Sequence, residues 1–298
     1  MNAPWRIELL GGLRVRQGER LITRFRSQRT ALLLGYLAYH RHRSHPREVL
    51  IELLWPDAEP EAGRHSLSQA LSSLRHQLEP PGIPAGAVIV ADRAAVELNP
   101  EACATDVAEF EAALRTANQA RHGPDYAARL GEAVDLYAGP LLPGYYEDWI
   151  LSEQDRLRER FSEAVLQLAH AVEQGGEPVR ALEYARRAVR EDPLRERAHQ
   201  ALMRLLLAAG QPEAALRQYR ELERLLKEEL AATPSAATRQ VLRQVEGQWL
   251  GLSGPGQRAE SGERRAGGPE PQPSALRAAN RRNSRASDPS PSRSSAFT

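Results

Sequence analysis

The stretch "RHSLSQALSSLRHQLE", Arg64 to Glu79, carries the side chains best suited to recognition chemistry. Leu67, Leu71, Leu74 and Leu78 recur at steps of four, three and four, which draws one apolar stripe along a helix. The opposite side presents His65, Gln69, Ser72 and His76, with Arg64 and Arg75 at its edges and Ser68 beside the first leucine of the stripe. It has no carboxylate before Glu79. Such a surface matches a partner that is negative and rich in hydrogen-bonding edges. Gln pairs with adenine, Ser with several base edges, and Arg with guanine or phosphate. A plain amphipathic helix accounts for the same stripe, so the elements around it decide between the two.

Those elements come in a telling order. Trp5, Ile7 and Leu9 alternate with Arg6 and Glu8, the pattern of a half-buried strand. Gly11-Gly12 and Gly18 then turn the chain into two further short strands, predicting three antiparallel strands. "SQRTALLLGYLAYHRHR" is a predicted helix with Ser27 as N-cap and Leu33, Leu34, Leu37 and Ala38 on one face. A second helix is expected from Pro46 to Trp55-Pro56, and the opening stretch forms the third. "VIVADRAAVEL" reads as a hairpin about Asp92-Arg93. Strands, three helices and a terminal hairpin make a winged helix-turn-helix. There the third helix enters the major groove and the hairpin brings Arg93 to a minor groove or phosphate. Arg75 is expected to clamp phosphate, with pairing to a neighbouring acid as the alternative.

Residues 101–250 differ in kind. They read as helical throughout, and Gly176, Pro178, Ala181 and Leu182 recur 34 residues later as Gly210, Pro212, Ala215 and Leu216. A 34-residue period with paired helices is the tetratricopeptide (TPR) signature, whose stacked pairs leave grooves for partners. Residues 251–298 hold nine Ser, six Gly and six Pro among 48, too few apolar side chains to offset ordering, and are expected to be disordered. The fold class is therefore mainly α in three parts: a winged helix with a small sheet at 1–100, an all-α TPR-like region at 101–250, and a tail at 251–298.

Charge follows the same division. Residues 1–100 carry 13 Arg against 10 acids, a net of +3. Residues 101–250 carry 18 Arg and one Lys against 25 acids, a net of −6. Arg14 to Arg47 holds nine Arg against the single Glu19. A basic block ahead of an acidic helical block fits a nucleic-acid binder joined to a protein-facing module. No apolar run approaches the roughly 20 residues of a membrane span, and no leader-like N-terminus is visible, so a cytoplasmic, nucleoid-associated protein is expected. Cys103 is the single cysteine, which excludes an internal disulfide and a cysteine zinc site. His40, His42 and His45 are close in "HRHRSH", but three imidazoles do not converge readily from that spacing, and a basic phosphate-facing patch is the preferred reading. There is no phosphate-binding Gly-rich loop, dinucleotide fingerprint, zincin motif or nucleophile elbow, so no cofactor, metal or enzymatic activity is expected.

"RFRSQRTALLLGYLA", "HPREVLIELLWPD" and "SLSQALSSLRHQL" resemble the DNA-binding domain of SARP-type bacterial regulators, an OmpR-like winged helix. "DVAEF", Asp106 to Phe110, looks like the junction after the wing. "YARRAVREDPLRERAHQALMRLL" and "ALRQYRELERLLKEELAATPSAAT" resemble the bacterial transcriptional activation domain (BTAD) that follows it. The resemblance covers roughly residues 5 to 248. It implies an activator that binds direct repeats in promoter DNA, contacts RNA polymerase and pairs with a second copy on DNA. It also implies a polymerase contact for the acidic loop Asp57 to Glu61. The chain departs from its relatives at Ser68, where many carry Arg, and at the wing, where many carry Gly-Tyr. Many relatives continue into an ATPase domain, so a short form and a fragment of a longer ATPase regulator both stay open. A TPR-like interaction adaptor is the alternative from another class.

Overall fold

The computed structural model describes residues 4–120 and 125–252. Strands β1 (Trp5–Glu8), β2 (Arg14–Gln17) and β3 (Arg20–Ile22) form the expected antiparallel meander, with Ile7 opposite Val15 and Val15 opposite Ile22. Alternation decides the faces, for Trp5, Ile7 and Val15 are buried while the residues between them stay accessible. Helix α1 (Gln28–Tyr39) starts where Ser27 accepts a hydrogen bond from the Thr30 N–H. It stops at Tyr39, four residues short of the expected end at Arg43, because His45 and Pro46 leave as a short strand, β4 (His45–Pro46). Helix α2 (Arg47–Leu54) and helix α3 (Pro60–Leu78) complete the three-helix unit. The expected hairpin is β5 (Ile89–Ala91) and β6 (Ala95–Leu98), and β4 joins it through His45 opposite Val96.

One strand escaped the sequence reading. β7 (Cys103–Thr105) lies past residue 100 yet returns to the first sheet, pairing parallel to β1 and giving the order β3-β2-β1-β7. Three residues carry too weak a period-2 signal to be seen alone.

The remainder is helical. It comprises α4 (Asp106–Gln119), α5 (Tyr126–Leu136), α6 (Asp148–Gln174), α7 (Pro178–Glu191), α8 (Glu196–Ala208), α9 (Pro212–Leu230) and α10 (Ala236–Leu252), each packed on the next in sequence. The 34-residue repeat takes physical form here. Gly176 and Gly210 adopt positive φ, Pro178 and Pro212 open α7 and α9, and Ala181 and Ala215 are fully buried. His199 is buried between the repeats. Its Nε2 bonds the Pro193 carbonyl at 2.9 Å and its Nδ1 accepts from the Gln218 amide at 2.7 Å, so the helix break and α9 are tied through one ring. α10 closes the stack with Val241 and Val245 buried. The expectation of disorder beyond residue 250 falls, from 253 on, outside the described residues.

The winged helix and the helical region share one core instead of meeting at a linker. The Leu9 carbonyl accepts from Leu142 N–H and the Gly11 N–H donates to Pro140 O, both at 2.8 Å. Asp106, the first residue of α4, is buried and accepts backbone N–H bonds from Leu9, Leu10 and Val107 at 2.8–2.9 Å. Burial pushes its carboxyl up to about 6, against those bonds, which favour the anion. Tyr36 and Tyr39 of α1 pack on Trp149 of α6 with ring centroids 5.3 and 5.6 Å apart, and the Tyr39 hydroxyl donates to Glu153.

Candidate nucleic-acid interface

Helix α3 is longer than expected, since Pro60 opens it and Glu61 sits in its first turn. Leu67, Leu71, Leu74 and Leu78 are all buried, with Gly63 and Ala70 extending the stripe. Gly63 is required by proximity: a Cβ there would collide with Ile51 Cγ2 of α2. The stripe packs α3 on α1 and α2. Trp5 at the start of β1 locks its far end by donating Nε1–H to the Leu78 carbonyl at 3.0 Å.

That packing leaves Arg64, His65, Ser68, Gln69, Ser72 and His76 exposed together on the opposite side. They are preordered to differing degrees. The Gln69 amide lies 2.6 Å from His65 Nε2, one helical turn away. Ser68 Oγ donates to the Arg64 carbonyl at 2.8 Å and accepts from Arg47 Nη2 at 3.2 Å. Gln69 and Ser68 therefore offer remaining donors and acceptors from fixed positions.

The wing stands beside this face. Asp92 Oδ1 accepts the N–H groups of Ala94 and Ala95 at 2.7 and 2.8 Å, which tightens the turn, presents Arg93 to solvent and holds the Asp92 carboxyl below its usual range. Arg75 is placed differently from expectation. Its Nε and Nη2 donate to the Ile89 carbonyl at 3.3 and 3.0 Å, and Nε lies 3.9 Å from Glu79. Glu79 in turn accepts the N–H groups of Gly86, Val88 and Ile89. The two side chains fasten α3 to the first wing strand, so two of the three Arg75 nitrogens are engaged within the protein and one face of the side chain stays accessible. The acid was visible in the sequence; the backbone carbonyl was not.

Arg47 was missed. At the start of α2 it donates Nη1–H to the Asp92 carbonyl at 3.2 Å and Nη2–H to Ser68, bridging the wing and α3. These partners lie 45 and 21 residues away, so no local pattern signals it. The rest of the Arg14–Arg47 block divides up. Arg14 and Arg16 pair with Glu8 at 2.7 and 3.3 Å, Arg29 with Glu147, and Arg20 sits over the Trp5 ring. Part of the sequence's basic run is thus engaged on the sheet and on α1, away from the α3 face. His40 and His45 pack edge-on against Tyr36, and among the described residues no group of three or more His, Cys, Asp or Glu could hold a metal ion.

Comparison with known proteins agrees with this arrangement. Residues 105–246 match the bacterial transcriptional activator domain. The chain is 29% identical over 245 residues to the regulatory protein AfsR of Streptomyces coelicolor, covering 80% of this chain and 24% of that one, so it spans about a quarter of the length of that relative. Its fold is that of Mycobacterium tuberculosis EmbR, solved in complex with a low affinity phosphopeptide, with a TM-score of 0.65 at 23% identity over 82% of this chain and 65% of that one. No helix among the described residues is long and apolar enough to cross a membrane. With a winged helix running directly into this helical domain, the chain has the domain order of, and is similar to, the SARP-type bacterial transcriptional regulators.

Proposed function

We propose that the chain is a sequence-specific DNA-binding transcriptional activator. α3 enters the major groove of promoter DNA, and Arg64, His65, Ser68, Gln69, Ser72 and His76 face base edges and flanking phosphates. Arg93 reaches a neighbouring minor groove or phosphate from the wing, and Arg47 holds the wing in register with the helix. The observation that carries this reading is the exposed polar side of α3, free of carboxylates between Glu61 and Glu79 and flanked by an ordered wing. The helical domain, with its net charge of −6 over 101–250, is repelled by a polyanion and faces protein instead. Its partners are RNA polymerase, with the acidic loop Asp57 to Glu61 adding a contact, or a second copy on direct repeats. Such a protein works in the cytoplasm, on the nucleoid.

The test uses the full chain. Selection from a random duplex pool should return a defined site whose affinity falls steeply with salt, each phosphate contact adding about −0.9 to the log–log slope. Gln69→Ala should cost about 1–3 kcal/mol at one base position and relax preference there alone. Equal weakening on every duplex would make Gln69 a backbone contact. No duplex affinity at any salt would leave the protein-adaptor reading standing.

A further inference from the structure

The "HRHR" run, His40 to Arg43, does not join the α3 face. The turn between α1 and β4 carries it to the seam between the winged helix and the helical domain, where it lines a cleft of about 570 Å³. The opposite wall is α4, which presents Ala108, Ala112 and Arg115. The alanines leave space; the arginine adds charge. A cleft of this size lies in the range of small-molecule sites, about 300–1,000 Å³.

The charges in the cleft are unbalanced in a specific way. Its three carboxylates already have cationic partners. Glu109 is 2.6 Å from Arg6, Glu111 is 2.8 Å from both Arg156 and Arg160, and Glu153 takes Arg156 and the Tyr39 hydroxyl. Arg41, Arg43 and Arg115 enter no ion pair among the described residues. Arg41 is anchored by Nη1–H donation to the Cys103 carbonyl at 2.8 Å, and its Nε is shielded from solvent with no acceptor. Three guanidinium groups and the His42 imidazole thus share one concave site in which no carboxylate is paired with any of them. Guanidinium matches phosphate oxygens two at a time, and several together suit a ligand bearing more than one negative charge.

We propose that this cleft binds a small phosphorylated ligand, a di- or oligophosphate ester, held by Arg41, His42 and Arg43 from the α1–β4 turn and by Arg115 from α4. Its walls come from both halves of the chain, so occupancy would fasten the recognition unit to the helical domain. The same phosphate chemistry is present in a duplex backbone, and the experiment separates the two sources.

Inorganic pyrophosphate serves as the probe, titrated into the full chain by calorimetry and thermal melting against sodium chloride of equal ionic strength. We expect saturable binding with a Kd below about 1 mM, and a rise in Tm that chloride does not reproduce. Arg43→Gln/Arg115→Gln changes two exposed side chains and should keep the parent's unliganded melt while weakening pyrophosphate at least about tenfold; if the double variant melts early, Arg115→Gln alone carries the comparison. Absence of saturable binding, or equal binding by parent and variant, overturns the proposal. So does a variant that takes up pyrophosphate normally yet loses about two contacts from its duplex salt slope, because the arginines would then serve the DNA backbone.

Discussion

The winged helix and the helical domain differ in how many of their arginines pair with an acid within the same helix. On the helical domain the guanidinium groups run in short ladders with acids three or four residues away: Arg129 with Glu132, Arg156 with Glu153, Arg180 with Glu177, and Arg224 with both Glu221 and Glu228. These pairs are local and largely exposed. On the winged helix Arg41, Arg47 and Arg75 are tied to distant backbone carbonyls, Arg6, Arg14, Arg16 and Arg29 pair with acids far along the chain or on a neighbouring strand, and Arg64 is left open beside a helix face without acids. The difference shows that arginine content says nothing about a nucleic-acid surface until the position of the acids is known.

The comparison can be broken at several points. The largest effect belongs to the buried side of α3. Leu71→Asp places an unpaired charge among the three helices and should cost more than about 4 kcal/mol, abolishing the cooperative melt of the N-terminal half. A folded variant that still bound DNA would mean that the leucine stripe is not the packed side. Next comes the latch between the halves. Asp106→Ala strands the N–H groups of Leu9, Leu10 and Val107 and should destabilise the chain by about 3 kcal/mol by chemical denaturation. A loss confined to α4, with the winged helix unaffected, would show two independent domains.

Acidification probes the same seam more gently. Burial holds His40 and His45 below the usual 6.5, with Arg43 adding to the effect. A histidine whose folded pKa is depressed contributes stability that is present above the unfolded value and is lost as pH falls from 6.5 toward and through the folded value. Hydrogen-exchange protection at the end of α1 and at the start of α6, corrected for the intrinsic rate at each pH, should therefore fall below pH 6.5, and His45→Phe should reduce that dependence. Protection that is flat over the window would show that the imidazoles stay accessible to protons without opening the seam. The smallest effect is expected on the ladders: Arg224→Ala should leave Tm within measurement error, since its partners are solvent-exposed. A clear drop would make the ladder structural and remove the contrast between the two halves.

Most of the fold was legible because its signals are local. Ser27 as a cap, the alternation through Trp5, Ile7 and Leu9, the hairpin about Asp92-Arg93 and the Gly-x-Pro repeat each occupy a few adjacent residues. The misses were short or long-range. β7 is three residues long, β4 is two, and α1 ends early because β4 pairs with a strand some fifty residues later. At the candidate interface the exposed set Arg64, His65, Ser68, Gln69, Ser72 and His76 was readable from helical period alone, whereas Arg47 and the inward role of Arg75 were not.

The sequence by itself determined which side of α3 is apolar, which side is free of acids, and that a 34-residue helical repeat follows. Those are consequences of period and composition, which one element suffices to display. The tertiary structure alone decided that Asp106 and Leu142 weld the two halves at Leu9, that Arg75 and Glu79 set the wing, and that the "HRHR" run opens into a cleft instead of the α3 face. Each depends on groups brought together from distant parts of the chain, and the partner of a hydrogen bond or an ion is chosen by proximity in space, which no residue type records.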